Sequence, residues 1–134
     1  MKRVNIKCPY CRSQAFLRPA SLVHQGKGAE PGEEVYVCAR YPFCDSYVSA
    51  HRRSRLPMGT LANRELRNKR RLAHAAFDQL WESGLMSRKE AYHWLQMQMG
   101  LPEEEAHIGN FSEYRCDQVI RLCDSFQSAA ECAA

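Results

Sequence analysis

Two short cysteine loops constrain this chain more than anything else in it. Cys8-Pro9-Tyr10-Cys11 makes the first and Cys38-Ala39-Arg40-Tyr41-Pro42-Phe43-Cys44 the second, with a segment between them long enough for strands. A tetrahedral zinc ion takes four soft ligands, and two tight loops deliver four thiolates from two directions. The spacing therefore assigns one structural Zn2+ to Cys8, Cys11, Cys38 and Cys44. A site closed by four thiolates leaves no open position for water, so the expected role is structural and not catalytic. His24, in the intervening segment, is the weaker ligand candidate and reads as a surface residue.

The disulfide reading of the same cysteines is set aside by compartment. The first residues are basic but lack an apolar h-region, and no apolar run reaches the length of a membrane span. The sequence thus predicts a cytoplasmic protein with no membrane partner, where thiols stay reduced. Of the 7 cysteines, Cys116 and Cys123 fall on one face of a predicted helix and read as small buried hydrophobes.

Strand and helix signals fall on either side of residue 56. Residues 4–6 alternate as an entering strand. Ala15-Phe16-Leu17-Arg18 reads as a strand limited by Pro19, with Ser21-Leu22-Val23-His24 continuing it. Residues 25–34, rich in Gly, Pro and Glu, read as an exposed hairpin loop. Val35-Tyr36-Val37-Cys38 and Tyr47-Val48-Ser49-Ala50 complete a strand order typical of a zinc ribbon. So small a sheet buries too little to stand alone without a metal or disulfides.

After a basic connector at residues 51–59, Thr60 is a candidate N-cap for a helix over 61–83, with Leu66, Ala73, Phe77 and Leu80 at helical spacing. Gly84 stops it. Ser87-Arg88-Lys89-Glu90 is a capping box for a second helix, which Gly100 and Pro102 end. Pro102 opens a short helical turn as its N1 residue, His107-Ile108-Gly109 breaks it, and Ser112 caps a last helix with Cys116, Val119, Cys123 and Phe126 inward. Past Gln127 the tail reads as loose. The predicted fold is α+β: a zinc ribbon with a small antiparallel sheet over residues 1–56, packed on a helical region over 57–134 of about three main helices, a hairpin plus a C-terminal helix.

Charge is mild in sum, +4, but uneven. Residues 52–71 hold eight cations against Glu65 alone, and beyond Leu72 acids outnumber bases. A basic stretch suggests a polyanion. Tyr41 and Phe43 lie in the second loop beside Arg40; Tyr36 and Tyr47 flank it, and Arg12, Arg18, Arg52 and Arg53 are near in sequence. Aromatic faces interleaved with cations suit unpaired bases, and Arg64, Arg67, Arg70 and Arg71 extend such a surface toward phosphates. The competing reading packs the rings inward and leaves the arginines as a solvated face. Two alternatives come from other classes. The acidic C-terminal half suits a protein partner, as in a module that inhibits or modulates a host enzyme. His51, Asn63 and His74 occur in the order of an HNH-type nuclease, but no strand separates the first two and the last two share one predicted helix. No phosphate-cradling glycine loop or Ser/His/Asp set is evident, so the expectation is no enzyme.

The pattern Cys-Pro-x-Cys followed by Cys-x-x-Tyr-Pro-x-Cys, over residues 8–11 and 38–44, resembles the C-terminal zinc ribbons of type IA DNA topoisomerases. That resemblance implies a four-cysteine zinc site and single-stranded DNA binding, without the topoisomerase's catalytic domains. The whole chain is also similar to a family of small zinc-finger proteins of unknown function from bacteria, phages and prophages. The matching stretches include Lys7-Cys8-Pro9-Tyr10-Cys11, Tyr41-Pro42-Phe43-Cys44, Pro57-Met58-Gly59-Thr60-Leu61-Ala62-Asn63, Arg71-Leu72-Ala73-His74-Ala75-Ala76-Phe77-Asp78, Met86-Ser87-Arg88-Lys89-Glu90-Ala91-Tyr92 and His107-Ile108-Gly109. This resemblance implies an architecture and a phage or bacterial-host setting. The expected function is that of a non-catalytic, zinc-binding, nucleic-acid-binding accessory protein, single-stranded DNA foremost.

Overall fold

A computed structural model describes residues 5–24 and 30–133. Val4 of the expected entering strand and residues 25–29 of the expected loop lie outside them. The chain divides into two compact units, Met1–Glu65 and Leu66–Ala134. Strands occupy the first and three long helices the second, an α+β fold.

The first unit is built on three antiparallel strands, β1 (Ala15–Pro19), β2 (Glu34–Cys38) and β3 (Tyr47–Ser49), with β2 central. Alternation along β2 sends its side chains to two faces, and both are covered. Tyr36 and Cys38 join Cys8, Ala15, Ala50 and Leu61 on one face; Val35 and Val37 join Ala20 on the other. This double burial suits the β-branched and aromatic residues of β2, and all three strands fall where the sequence places them.

Residues 21–24 do not continue β1. Pro19 has no N–H for the ladder, and the chain turns into α1 (Ser21–His24), whose Val23 and His24 amides donate to the Ala20 carbonyl. Val23 thereby folds onto the Val35–Val37 face, so its apolar side chain is covered without a strand. The connector also differs. His51 donates to the Leu56 carbonyl at 2.8 Å and Met58 to the Ser49 carbonyl at 2.8 Å, so the chain doubles back against β3 through a bridge between Ala50 and Pro57. The Tyr36 hydroxyl donates to the Arg55 carbonyl inside this turn.

Long helix α2 (Arg64–Glu82) starts three residues later than the sequence suggests. Ala62 exchanges both backbone hydrogen bonds with Tyr47 at 3.1 Å, and Leu61 and Ala62 are buried, so tertiary pairing holds them extended. Thr60 accordingly lies before that extended pair and not at the helix start. The Arg64 amide is met instead by the Asp45 carboxylate at 3.2 Å.

In the second unit, α2, α3 (Arg88–Met99) and α4 (Glu113–Ala133) share a core of Phe77, Leu80, Ala91, Leu95, Phe111, Val119 and Cys123. Phe77 meets Tyr92 edge-to-face at 4.8 Å, and Trp94 meets Phe126 at 5.3 Å. Cys116 and Cys123 are buried there, and burial raises both thiols, Cys123 to about 12. The Ser112 hydroxyl accepts from the Arg115 amide at 3.3 Å, as expected of a cap. Helix α4 runs on through Ala133 where a loose tail is predicted. Pro102 is extended ahead of a 3-10 turn, not its first helical residue. His107-Ile108-Gly109 is explained in part by packing, because Ile108 is buried within a second 3-10 turn, Ile108–Asn110.

The capping box is complete: Glu90 donates its amide to Ser87 Oγ at 3.1 Å, and its carboxylate accepts from the Ser87 amide at 3.2 Å. Ser87→Ala should cost about 1 kcal/mol, read as a small drop in the thermal midpoint of the helical signal.

Candidate metal centre and the grooves beside it

Each cysteine loop is closed by its own backbone. In the first, the Cys8 amide donates to the Ser13 carbonyl and the Arg12 amide to the Cys8 carbonyl, both at 2.8 Å. Arg12 sits at φ 63°, a left-handed turn position that favours glycine. In the second, the Tyr41 backbone amide donates to the Cys38 carbonyl at 2.9 Å and the Cys44 backbone amide to the Arg40 carbonyl at 3.1 Å, and the Tyr41-Pro42 peptide is cis. Cys38 is the last residue of β2, so the sheet itself sets the start of the second loop.

These turns bring all four sulfurs within 4.8 Å of one another. Cys11 Sγ lies 3.3 Å from Cys38 Sγ, and Cys8 Sγ 3.5 Å from Cys44 Sγ. A tetrahedron with zinc–sulfur bonds of about 2.3 Å has edges near 3.8 Å, whereas a disulfide needs about 2.05 Å. The thiols are therefore unbridged and spaced to hold one metal ion. Fully buried Ser46 supports them: its Oγ lies 3.0 Å from Cys8 Sγ and 3.5 Å from Cys44 Sγ, placed to donate to a thiolate. Burial pushes the Cys8 thiol up, but hydrogen bonds from Ser46 and from the backbone of Cys11 and Tyr10 outweigh it and leave the thiol lowered. Ser13 holds Cys11 down to about 6. Burial, aided by the neighbouring sulfurs, pushes Cys38 up to about 12. A divalent soft cation resolves that conflict, because it permits several thiolates in one small volume. Among the described residues, no other group of three or more Cys, His, Asp or Glu side chains converges in this way.

His24 is not in the cluster; its ring meets Tyr47 edge-on at 5.9 Å. Of the HNH-ordered residues, His51 is exposed in the turn against β3, Asn63 donates its amide to the Tyr10 hydroxyl at 3.1 Å, and His74 lies on α2 in the second unit.

The aromatic candidates separate sharply. Tyr36 is buried, and Tyr41 and Tyr47 are both half-buried and packed against Val35 and Val37, so Tyr41 is not the freely exposed ring the sequence suggests. Phe43 is 94% exposed at the tip of the second loop. Beside it, Tyr10, Arg40, Asp45 and Asn63 line a groove of about 350 Å³ that includes Cys11 and Cys44 in its wall. The same loop also borders a second groove, of about 400 Å³, where Tyr41 and Pro42 are joined by Phe16, Arg18 and Leu22. The Arg18 guanidinium lies over the Phe16 ring at 5.2 Å.

The arginines separate too. Arg52 and Arg53 are near the second loop in sequence, but β3 carries the chain away from it. Ala50 pairs with Glu34 at the opposite end of β2, roughly 14 Å along a five-residue strand. There Arg52 meets Glu30 at 3.0 Å, and Arg55 meets Glu34 at 3.2 Å. Exposed Arg64 opens α2 in the first unit, while Arg67, Arg70 and Arg71 belong to the second. Arg70 is not a surface cation: it is buried, and its Nε donates to the Phe111 carbonyl at 3.0 Å. Arg67 is half-buried and Arg71 exposed.

Tyr10, Phe16 and Ser46 are the residues that reading the sequence missed. Tyr10 carries the same signal as Phe43, a ring inside a cysteine loop. Phe16 gives none by itself, because only the fold of Pro19 and α1 makes a groove beside it.

A family described as a zinc-finger-containing domain (DUF3268) matches residues 4–126, nearly the whole chain. No curated protein and no solved structure matches. No helix among the described residues is long and apolar enough to cross a membrane. The chain belongs to that zinc-finger-containing family.

Proposed function

We propose that this member of a zinc-finger-containing family holds one structural zinc ion on Cys8, Cys11, Cys38 and Cys44 and uses the outer surface of its cysteine loops to bind nucleic acid without altering it. The observation that carries the reading is Phe43, which presents 94% of its surface to solvent beside Tyr10 and Arg40. A loop fixed at both ends by metal ligands presents such a ring at little further cost in entropy. A base stacked on it gains about 1–3 kcal/mol whatever its identity. The guanidinium of Arg40 supplies attraction to phosphate, and exposed Arg64 lies on the same unit.

The test is a fluorescence-anisotropy titration of the zinc-loaded protein with single- and double-stranded DNA and with RNA. Binding should weaken steeply with salt, and Phe43→Ala should lower affinity by about five- to 150-fold with zinc content unchanged. An absence of binding at low salt would overturn the reading.

One observation favours a protein partner instead. In the second unit, Leu85, Met86, Trp94 and Met97 line an apolar groove of about 610 Å³ edged by Lys89, Glu90 and His93, and Met97 is 70% exposed. Exposed methionines adapt to varied partner surfaces. That reading gains if nucleic acid fails to bind.

A further inference from the structure

We infer that residues 39–44 form a ridge between two base subsites, so that an unpaired strand crosses the second cysteine loop with one base held on each side. The inference deepens the proposed function and rests on it.

Both grooves border this loop, and successive residues divide between them. Arg40 and Phe43 face the first, with Tyr10; Ala39, Tyr41 and Pro42 face the second, with Phe16 and Arg18. Each groove offers an accessible aromatic ring and a guanidinium, and the first holds the Asp45 carboxylate as well. Phe43 and Arg40 provide them in one, Phe16 (44% exposed) and Arg18 in the other. At about 350 and 400 Å³, the two volumes lie at the small end of ligand sites. Either has room for one base.

The rings also select the form of the polymer. A duplex keeps its bases stacked inside and offers only their edges from the grooves, so exposed protein rings cannot lie against its base faces. A single strand can turn its bases outward in succession, and stacking with an interleaved cation is the sequence-tolerant way to hold them. The walls of the second subsite are β1, α1 and the loop that starts at ligand Cys38, and the Arg18 guanidinium lies 5.2 Å from the centre of the Phe16 ring.

The test uses the full zinc-loaded chain and fluorescein-labelled oligothymidylate of about ten nucleotides, with oligouridylate and a duplex of equal length as comparisons. Phe16→Ala should weaken oligothymidylate binding about tenfold. Phe16→Leu, which keeps apolar bulk but removes the ring face, should weaken it nearly as much. Combined with Phe43→Ala, the losses should multiply. Zinc content and thermal midpoint, unchanged in Phe16→Leu, separate lost stacking from lost fold. Oligouridylate binding at similar strength fits base faces without a sugar requirement. If Phe43→Ala weakens binding while both Phe16 variants bind as the wild type does, the second subsite is overturned and the nucleic-acid reading stands. A duplex bound as tightly as the single strands also overturns the ridge. If the wild type binds none of them at low salt, the proposed function itself fails.

Discussion

Removing the metal with a chelator under reducing conditions should unfold the first unit and leave the helices of the second in place. The strands of the first unit span five, five and three residues, and its buried side chains include Cys8 and Cys38 themselves. Without a cation the face around Tyr36, Ala15 and Leu61 loses the junction between the segment before β1 and the loop after β2. Metal binding in finger-like peptides contributes about 10–16 kcal/mol, against a net stability of about 5–15 kcal/mol for whole domains. The second unit places Cys116 and Cys123 in an apolar core, and none of its described residues belongs to the cysteine cluster. Native-state hydrogen exchange should therefore show the β1–β3 amides losing protection while those of α2 to α4 keep theirs, and Cys38→Ser should reproduce the result. Acid should do the same. Protons compete with the cation for the four thiolates, so the metal is released and its contribution to stability lost as pH falls. Sheet amides that stay protected in reduced, metal-stripped protein would refute the assignment of the four thiols to a structural ion.

Much of this centre is legible in the chain because ligand spacing is a local property. Two tight turns, each closed within a few residues, determine where four sulfurs can meet, and β2 announces itself by being apolar on both faces. The capping box at Ser87 and the stripe through Phe77 are local in the same sense. What was not legible depends on partners far away in sequence. Residues 61–62 carry helix-compatible side chains but pair with Tyr47, so the helix waits until Arg64. Residues 51–56 look like a basic connector but fold back along β3, which carries Arg52 and Arg53 to the end of the sheet away from the cysteine loops. Arg70 has the composition of a phosphate contact and the position of a core residue, because α2 turns it toward the Phe111 carbonyl. A charge run read in one dimension cannot distinguish these fates, since helical and strand geometry sort neighbouring residues onto different faces. Even within the first unit the cations divide, with Arg52 at one end of the sheet and Arg64 beside Asp45 at the other.

Phe77→Ala should be the most damaging single change in the second unit. Phe77 is fully buried on α2 and meets the Tyr92 ring of α3 edge-to-face at 4.8 Å, so it ties two helices together at their point of contact. Truncating a buried phenylalanine removes its transfer free energy and leaves a cavity, at a cost of about 3–5 kcal/mol. In a unit of about 70 residues each kcal/mol moves the thermal midpoint by roughly 4–8 °C, so a drop on the order of 20 °C is expected in the helical signal. Leu72→Ala on the same helix is the internal comparison. Leu72 is 54% exposed, and its loss should stay near 0.5 kcal/mol. Zinc stoichiometry should be unchanged in both variants, because the ligands and their supporting hydroxyl all lie in the first unit. A Phe77→Ala protein melting within a few degrees of wild type would mean that this helix pair is not the core of its unit. A variant that lost its zinc as well would mean that the two units do not fold independently, and the chelation experiment would then have to be read on the whole chain.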